Sequence, residues 1–181
     1  KGNDAYISFF MLTGVTKFSQ VSIFSDLNHL KDISLAPGFS QMLGYTHAEI
    51  LQYFPDRLDE LKASLGGIYP DVLAEMKAWY NGYSWDGAKQ VYNPFSILNL
   101  LDDQRFGDYW FATGTPTFLM KMIRQAEFSA FEFEDKRLSL QAFNTFDVPD
   151  IDIHSLLFQT GYLTIKAIDY DRQTVTLGFP N

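Results

Sequence analysis

The sequence predicts a mostly helical α+β fold, and three observations lead to this prediction. A continuous apolar run covers residues 5–15, helix-start signals recur from Thr46 onward, and apolar residues alternate near the C-terminus over 162–179. A chain of 181 residues with 46% apolar content can bury a core. We therefore expect one N-terminal core strand, a helical region, and a winged-helix-like end that closes with a β-hairpin.

The apolar run predicts the core strand. Its letters, AYISFFMLTGV, contain no charged residue, which is typical of a strand covered on both faces. Gly14 ends the run. Because no companion strand pattern follows directly, we expect the neighbouring strands to lie upstream of Lys1.

Helix-start signals define the helical region. Thr46 and Glu49 have the spacing of a capping box, which predicts a short helix through Phe54. Proline is favoured at the first helical position, since its missing N–H would have no helical partner there. We therefore expect further helices to begin at four prolines: Pro55, Pro70, Pro94 and Pro116. Asn93 and Thr115 precede the last two as cap residues.

A short helix and a hairpin are predicted at the C-terminal end. The helix covers residues 153–159 and stops before Gly161, and two alternating segments at 162–168 and 174–179 form the strands. Three apolar side chains of the first strand would share a face with three of the second: Leu163, Ile165 and Ala167 with Val175, Leu177 and Phe179. Helices followed by such a hairpin suggest a winged-helix arrangement.

Composition disfavours several classes of function. The net charge of −8 repels polyanions, so nucleic-acid binding is possible but disfavoured. The chain has no cysteine, and its histidines are far apart, so we predict no metal site. No apolar run approaches the roughly 20 residues that a membrane span needs. We expect no membrane partner and a cytoplasmic location.

Two catalytic signatures were considered. The letters of a PD-(D/E)xK nuclease motif occur at Pro70, Asp71, Glu75 and Lys77. A spacing of four places Asp71 and Glu75 on one helix face, whereas the nuclease motif brings its groups together from neighbouring strands, so this interpretation is disfavoured. The chain also lacks the G-x-x-x-x-G-K-[ST] loop that holds nucleotide phosphates. We therefore expect no catalytic activity from this chain alone.

The densest aromatic cluster is a candidate interaction surface. It comprises five residues around an Asn-Gly turn: Trp79, Tyr80, Asn81, Tyr83 and Trp85. Asn-Gly tolerates positive φ, so the rings could pack back onto the core or form an exposed platform for a partner. A small-ligand site among these rings is a further alternative.

Seven motifs occur in order along nearly the whole chain. They are TGVTKFS at 13–19, VSIFS at 21–25, WYNGY at 79–83, YNPFS at 92–96, YW at 109–110, TGTP at 113–116 and LFQTGYL at 157–163. With these motifs the chain resembles the later half of the AAA-ATPase-like domain of predicted prokaryotic P-loop ATPases.

The resemblance implies an upstream P-loop core of the same polypeptide, with Walker A and Walker B motifs. Residues 1–45 would then be the end of the ATPase core, 46–126 a helical lid-like region, and 127–181 the winged-helix-like end. ATP and Mg²⁺ are expected only in the full-length protein, and a nuclease-like domain could follow downstream. The alternative is a protein- or nucleic-acid-interaction module without catalysis.

By the same resemblance, the strand over 5–12 would end in residues that sense the nucleotide. The candidates are Thr13, Thr16 and Lys17. A hydroxyl can orient the attacking water, and a cation can stabilise charge on the transferred phosphate. The simpler interpretation is that the two threonines only satisfy a turn after the strand.

Overall fold

The computed structural model describes residues 6–13, 31–110, 134–143 and 152–181. The helices are α1 (His47–Tyr53), α2 (Pro55–Leu65), α3 (Val72–Tyr80), α4 (Pro94–Asp103), α5 (Leu140–Phe143) and α6 (Ile153–Gln159). The strands are β1 (Tyr83–Ser84), β2 (Gln90–Val91), β3 (Lys136–Ser139), β4 (Thr164–Asp169) and β5 (Thr174–Gly178). Helices and small antiparallel sheets together confirm the predicted α+β class.

Side-chain caps fix the helix starts as predicted. Thr46 accepts a hydrogen bond from the Glu49 N–H, and the Glu49 carboxylate accepts one from the Thr46 N–H at 2.8 Å, which completes the capping box. Asn93 accepts from the Ser96 N–H at 3.0 Å at the start of α4. Pro55 and Pro94 occupy the first helical positions of α2 and α4.

Pro70 does not open its helix. Helix α3 begins at Val72, and Asp71 is its cap, because the Asp71 carboxylate accepts hydrogen bonds from the N–H groups of Leu73 and Ala74. The proline therefore lies one residue before the cap rather than at the first helical position. Pro116 lies outside the described residues.

The first four helices enclose one hydrophobic core, which we call the helical cluster. Its buried members come from α1 to α4 and from the end of β2, and aromatic rings pack around them. The buried residues are Ile50, Leu58, Leu61, Leu65, Val72, Met76, Tyr80, Tyr92, Ile97, Leu100 and Leu101.

The C-terminal part forms a three-stranded antiparallel sheet with the strand order β3–β5–β4. The predicted hairpin of β4 and β5 is confirmed, as is the helix over 153–159. Strand β3 was not predicted, because Leu138 is the single apolar residue in its KRLS sequence. The buried residues of this part, the sheet cluster, are Ile153, Leu156, Leu157, Phe158, Leu163, Ile165, Val175 and Leu177.

A β-bulge changes the predicted face of the hairpin. The pairing shifts between Ile165 and Ala167, so that Ile165 pairs with Leu177 and Ile168 pairs with Val175. The extra residue turns Ala167 outward, where it is exposed, and brings Ile168 onto the sheet cluster instead. The prediction that Ala167 shares a face with Leu163 and Ile165 was therefore wrong. Phe179, which was predicted to share this face from the second strand, follows the end of β5 and is 37% exposed.

The predicted N-terminal core strand does not form in residues 6–13. These residues have no strand assignment, and all eight are exposed. A strand needs a neighbour for its backbone hydrogen bonds, and within the described ranges no strand pairs with this segment. The expectation of neighbouring strands upstream stays a prediction, as do the predicted domain boundaries.

Candidate functional site

The predicted aromatic cluster lies between the helical cluster and the sheet cluster. We call residues 79–85 the aromatic connector. Its first rings, Trp79 and Tyr80, pack on the helical cluster, while Tyr83 and Trp85 pack on the sheet cluster. One stretch of seven residues therefore contributes to both cores.

On the helical side, Phe106 packs among three rings. Its centroid lies 5.0 Å from that of Tyr69, 5.8 Å from that of Trp79 and 6.1 Å from that of Tyr80. Tyr80 donates to the Gly107 carbonyl at 3.0 Å and accepts from the Gly107 N–H at 2.9 Å. Burial raises the pKa of Tyr80 to about 12, so its hydroxyl stays neutral and keeps both bonds.

On the sheet side, Tyr83 is held from α6. Its ring stacks on Phe158 with centroids 5.6 Å apart, and Trp85 meets both rings edge-on. The Tyr83 hydroxyl donates to the Phe158 carbonyl at 2.8 Å. Burial raises the pKa of Tyr83 well above its ordinary value, so this hydroxyl acts only as a structural donor near neutral pH.

The backbone of the connector also bonds to the sheet. The Ser84 N–H donates a hydrogen bond to the Thr164 hydroxyl at 2.6 Å. The same hydroxyl donates to the Ser84 carbonyl oxygen at 3.4 Å. Both residues are buried. Since a buried N–H without a partner costs free energy, Thr164 is a required partner of the connector.

These contacts favour the packed alternative for the aromatic connector. Tyr80 is buried, and Trp79, Asn81, Tyr83 and Trp85 are each only partly accessible. The Asn-Gly turn has the positive φ that the sequence suggests, with Gly82 at 108°. Use of the remaining accessible surface by a partner stays a prediction.

Of the three candidate sensor residues, Thr13 alone lies in the part of the chain that the structure describes. Thr13 is exposed at the end of the segment 6–13, and Thr16 and Lys17 lie outside the described residues. The sensor assignment therefore stays a prediction.

The nuclease-like letters have structural partners. Asp71 caps α3, and Glu75 accepts a hydrogen bond from the Trp79 indole N–H at 2.8 Å. Their carboxylates thus support the start and the packing of one helix. Over the described ranges, no group of three or more acidic or histidine residues could hold a metal ion.

Sequence reasoning missed a buried histidine. His154 is 4% exposed, and its Nδ1 lies 3.1 Å from the Asp152 carboxylate, which also caps α6 through the His154 and Ser155 N–H groups. The hydrogen bond from His154 lowers the pKa of Asp152 below its ordinary value. An aspartate just before a helical apolar run was the available signal for the cap.

A shallow groove was also missed. It has a volume of about 410 Å³ and lies between the start of α2 and the outer face of α4. Phe54, Leu98 and Leu101 supply apolar walls, and Arg57 donates to the Leu101 carbonyl at 2.8 Å near Asp102. The groove lies apart from the aromatic connector and presents no convergent set of reactive groups.

No described helix is both long and apolar enough to cross a membrane.

The chain is similar to a protein of Azotobacter chroococcum mcd 1 named "Uncharacterized protein in vnfD 5'region", with 41% identity over 168 residues. The match covers 93% of this chain but 30% of that protein, so the chain spans less than a third of the relative's length. No family model matches the chain. No solved structure matches it.

The similarity extends over nearly all of the chain. A protein of over three times the matched length has room for other domains, but its name assigns it no activity. The resemblance to AAA-ATPase-like proteins therefore stays a prediction that rests on the seven motifs.

Proposed function

We propose that this chain is the lid and winged-helix-like part of an AAA-ATPase-like cytoplasmic protein. It would respond to ATP and Mg²⁺ bound by a P-loop core elsewhere in the same polypeptide. The ordered motifs and the longer relative support the proposal, since the matched region is 30% of that protein.

The observation that carries the proposal is the exposed apolar segment at residues 6–13. Tyr6 is 88% exposed and Phe9 is 80% exposed, and four more large apolar side chains of the segment are at least half exposed. An exposed apolar patch of this kind is typical of a surface that another body covers. A sheet of the proposed P-loop core would both pair its backbone and bury its side chains.

The proposed sensor follows from the position of this segment. Thr13 directly follows the apolar residues, and Thr16 and Lys17 come next in the sequence. If residues 6–13 join the core sheet as a strand, these three residues reach its end, where nucleotides bind in open α/β sheets. Their hydroxyl and ammonium groups suit a water and a transferred phosphate.

Nucleic-acid binding by the C-terminal sheet is the weaker alternative. In its described residues, 134–143 and 152–181, four cations are outnumbered by five carboxylates. The cations are Lys136, Arg137, Lys166 and Arg172, and the carboxylates are Glu134, Asp135, Asp152, Asp169 and Asp171. This balance gives no positive field to attract phosphates.

ATP binding and hydrolysis test the proposed function. The assay compares this chain with a longer version of the same protein that includes the proposed Walker motifs. We expect hydrolysis only from the longer version. Turnover by the 181-residue chain after repurification would contradict the proposal.

The sensor is tested in the longer version. Lys17→Ala should lower the rate of hydrolysis by about 100-fold, the usual effect of removing one group that stabilises the transition state. ATP binding should persist. The matched control is Lys89→Ala, since Lys89 is exposed on the β1–β2 turn. Equal rates of hydrolysis for the two variants would show that Lys17 does not contribute to hydrolysis.

A further inference from the structure

We propose that the hairpin of β1 and β2 is a rigid connection between the helical cluster and the C-terminal sheet, which we call the joint. Because of it, the two parts unfold locally and move as one body. The proposal is independent of ATP binding. It concerns how a displacement of one part of the chain reaches the other.

On one side, the hairpin is continuous with the helical cluster. Tyr83 pairs with Val91, and Ser84 pairs with Gln90. The next residue, Tyr92, is 1% exposed and exchanges backbone hydrogen bonds with Tyr45 at 2.8 and 3.2 Å. Strand β2 is thereby fixed to the residues that precede α1.

On the other side, the same two residues of β1 are fixed to the sheet cluster. The Tyr83 hydroxyl bonds to the Phe158 carbonyl, and the Ser84 backbone bonds to the Thr164 side chain. Tyr83 and Ser84 therefore each pair with β2, which continues into the helical cluster at Tyr92, and each bond to the C-terminal part. Moving the parts relative to one another would leave buried polar groups without partners.

Two glycines allow this close approach. Gly82 has φ of 108°, and a Cβ there would lie 1.9 Å from the Pro180 carbonyl oxygen. Gly87 has φ of 75°, and a Cβ there would lie 2.9 Å from the Cα of Ala167, next to the bulge in β4. The backbone before and after β1 thus comes close to the backbone of the C-terminal part, at Gly82 and at Gly87.

A second crossing reinforces the joint. The Asn181 amide donates to the Ala78 carbonyl at 2.9 Å and also to the Trp79 carbonyl, near the C-terminal end of α3. Residues that follow β5 are therefore tied to a helix of the helical cluster. The β1–β2 hairpin and the residues after β5 therefore both connect the helical cluster to the C-terminal sheet. Two connections oppose a rotation of one part against the other that a single connection would allow.

Amide hydrogen exchange of the whole 181-residue chain tests the joint. If the two parts open as one body, the slowest amides of α3 and α6 should exchange at the same opening rate and with the same protection. Much faster exchange throughout α6, while α3 stays protected, would show two independent bodies and overturn the proposal.

Thr164→Val removes the hydroxyl at the joint while it keeps the shape of the side chain. It should raise exchange in α6 and β4 by about tenfold relative to α3, because the Ser84 N–H loses a buried partner. The matched control is Thr176→Val, which makes the same change on the neighbouring strand β5, while the Ser84 backbone keeps its bonds to Thr164. The control should change exchange by less than about twofold.

Tyr83→Phe provides a milder variant in case Thr164→Val does not fold. It removes only the hydroxyl that bonds to Phe158 and keeps the ring stack. The same separation of α6 from α3 is expected, at about fivefold. If both variants raise exchange equally in the two helices, the hairpin contributes general stability but is not the joint.

Discussion

The helical cluster and the C-terminal sheet differ in how their structure is determined. In the helical cluster, local signals set the boundaries: Thr46, Asp71 and Asn93 each cap the helix that follows them. In the sheet, the decisive features join residues far apart in the sequence, such as β3 with β5 and β4 with the aromatic connector. Local rules therefore determine one part of this chain, and long-range contacts determine the other.

The largest effect is expected from the core of the helical cluster. Leu100→Ala should lower the free energy of unfolding by about 3 kcal/mol, because Leu100 is fully buried and its removal leaves a cavity. Leu98→Ala on the same helix is the control, since Leu98 is 46% exposed. Urea unfolding should separate the two variants clearly, and equal losses would contradict the assigned burial.

The next effect tests a long-range contact. Gly82→Ala should cost about 2 kcal/mol or more, since alanine is strained at this positive φ and its Cβ would collide with Pro180. Gly67→Ala is a suitable control, because nothing lies near the position of its Cβ. A thermal unfolding midpoint that is unchanged by Gly82→Ala would mean that Pro180 does not pack there.

The sequence predicts the local part of this fold well and the long-range part poorly. Capping patterns predict α1 and α4 correctly, because a cap is local: the side chain of the cap residue bonds to the N–H three residues later. The bulge near Ala167 and the strand at 136–139 depend on partners distant in the sequence, which no local pattern encodes. The packing of the aromatic connector depends on distant partners in the same way, so the sequence alone does not choose between a packed and an exposed arrangement.

For the candidate site, the sequence supplied residues without their arrangement. It singled out Trp79 and Tyr83, but their separate roles depend on Phe106 and Phe158, which come from other segments. The sequence predicts no metal site at His154, but the bond between His154 and Asp152 becomes visible only with the cap of α6.

A smaller effect should follow from a purely local change. Thr46→Ala removes one half of the capping box and should cost about 1 kcal/mol in urea unfolding. Gln52→Ala, at an exposed position of the same helix, should be nearly neutral. If Gln52→Ala costs as much as Thr46→Ala, the cap does not determine the start of α1.

The smallest effect concerns pH. The pKa of Asp152 is lowered in the folded protein. The ionised carboxylate therefore stabilises the fold at pH values above the ordinary pKa of aspartate. This stabilisation is lost as the pH falls through the lowered pKa of the folded state. Asp152→Asn keeps a good helix cap and removes the charge. The variant should be less stable than the parent at pH 6 by about 1 kcal/mol or less, and this difference should vanish in strong acid. A constant difference from pH 6 to pH 2 would contradict the assigned shift.

The most direct test of the account is hydrogen exchange of residues 6–13 in this chain and in a longer version that contains the proposed P-loop core. We predict that these amides exchange rapidly in the 181-residue chain, and that protection in the longer protein rises by about 100-fold or more, as expected for a central strand. Equally rapid exchange in both proteins, with ATP and Mg²⁺ present, would show that the segment joins no sheet and would contradict the proposed place of this chain in an ATPase.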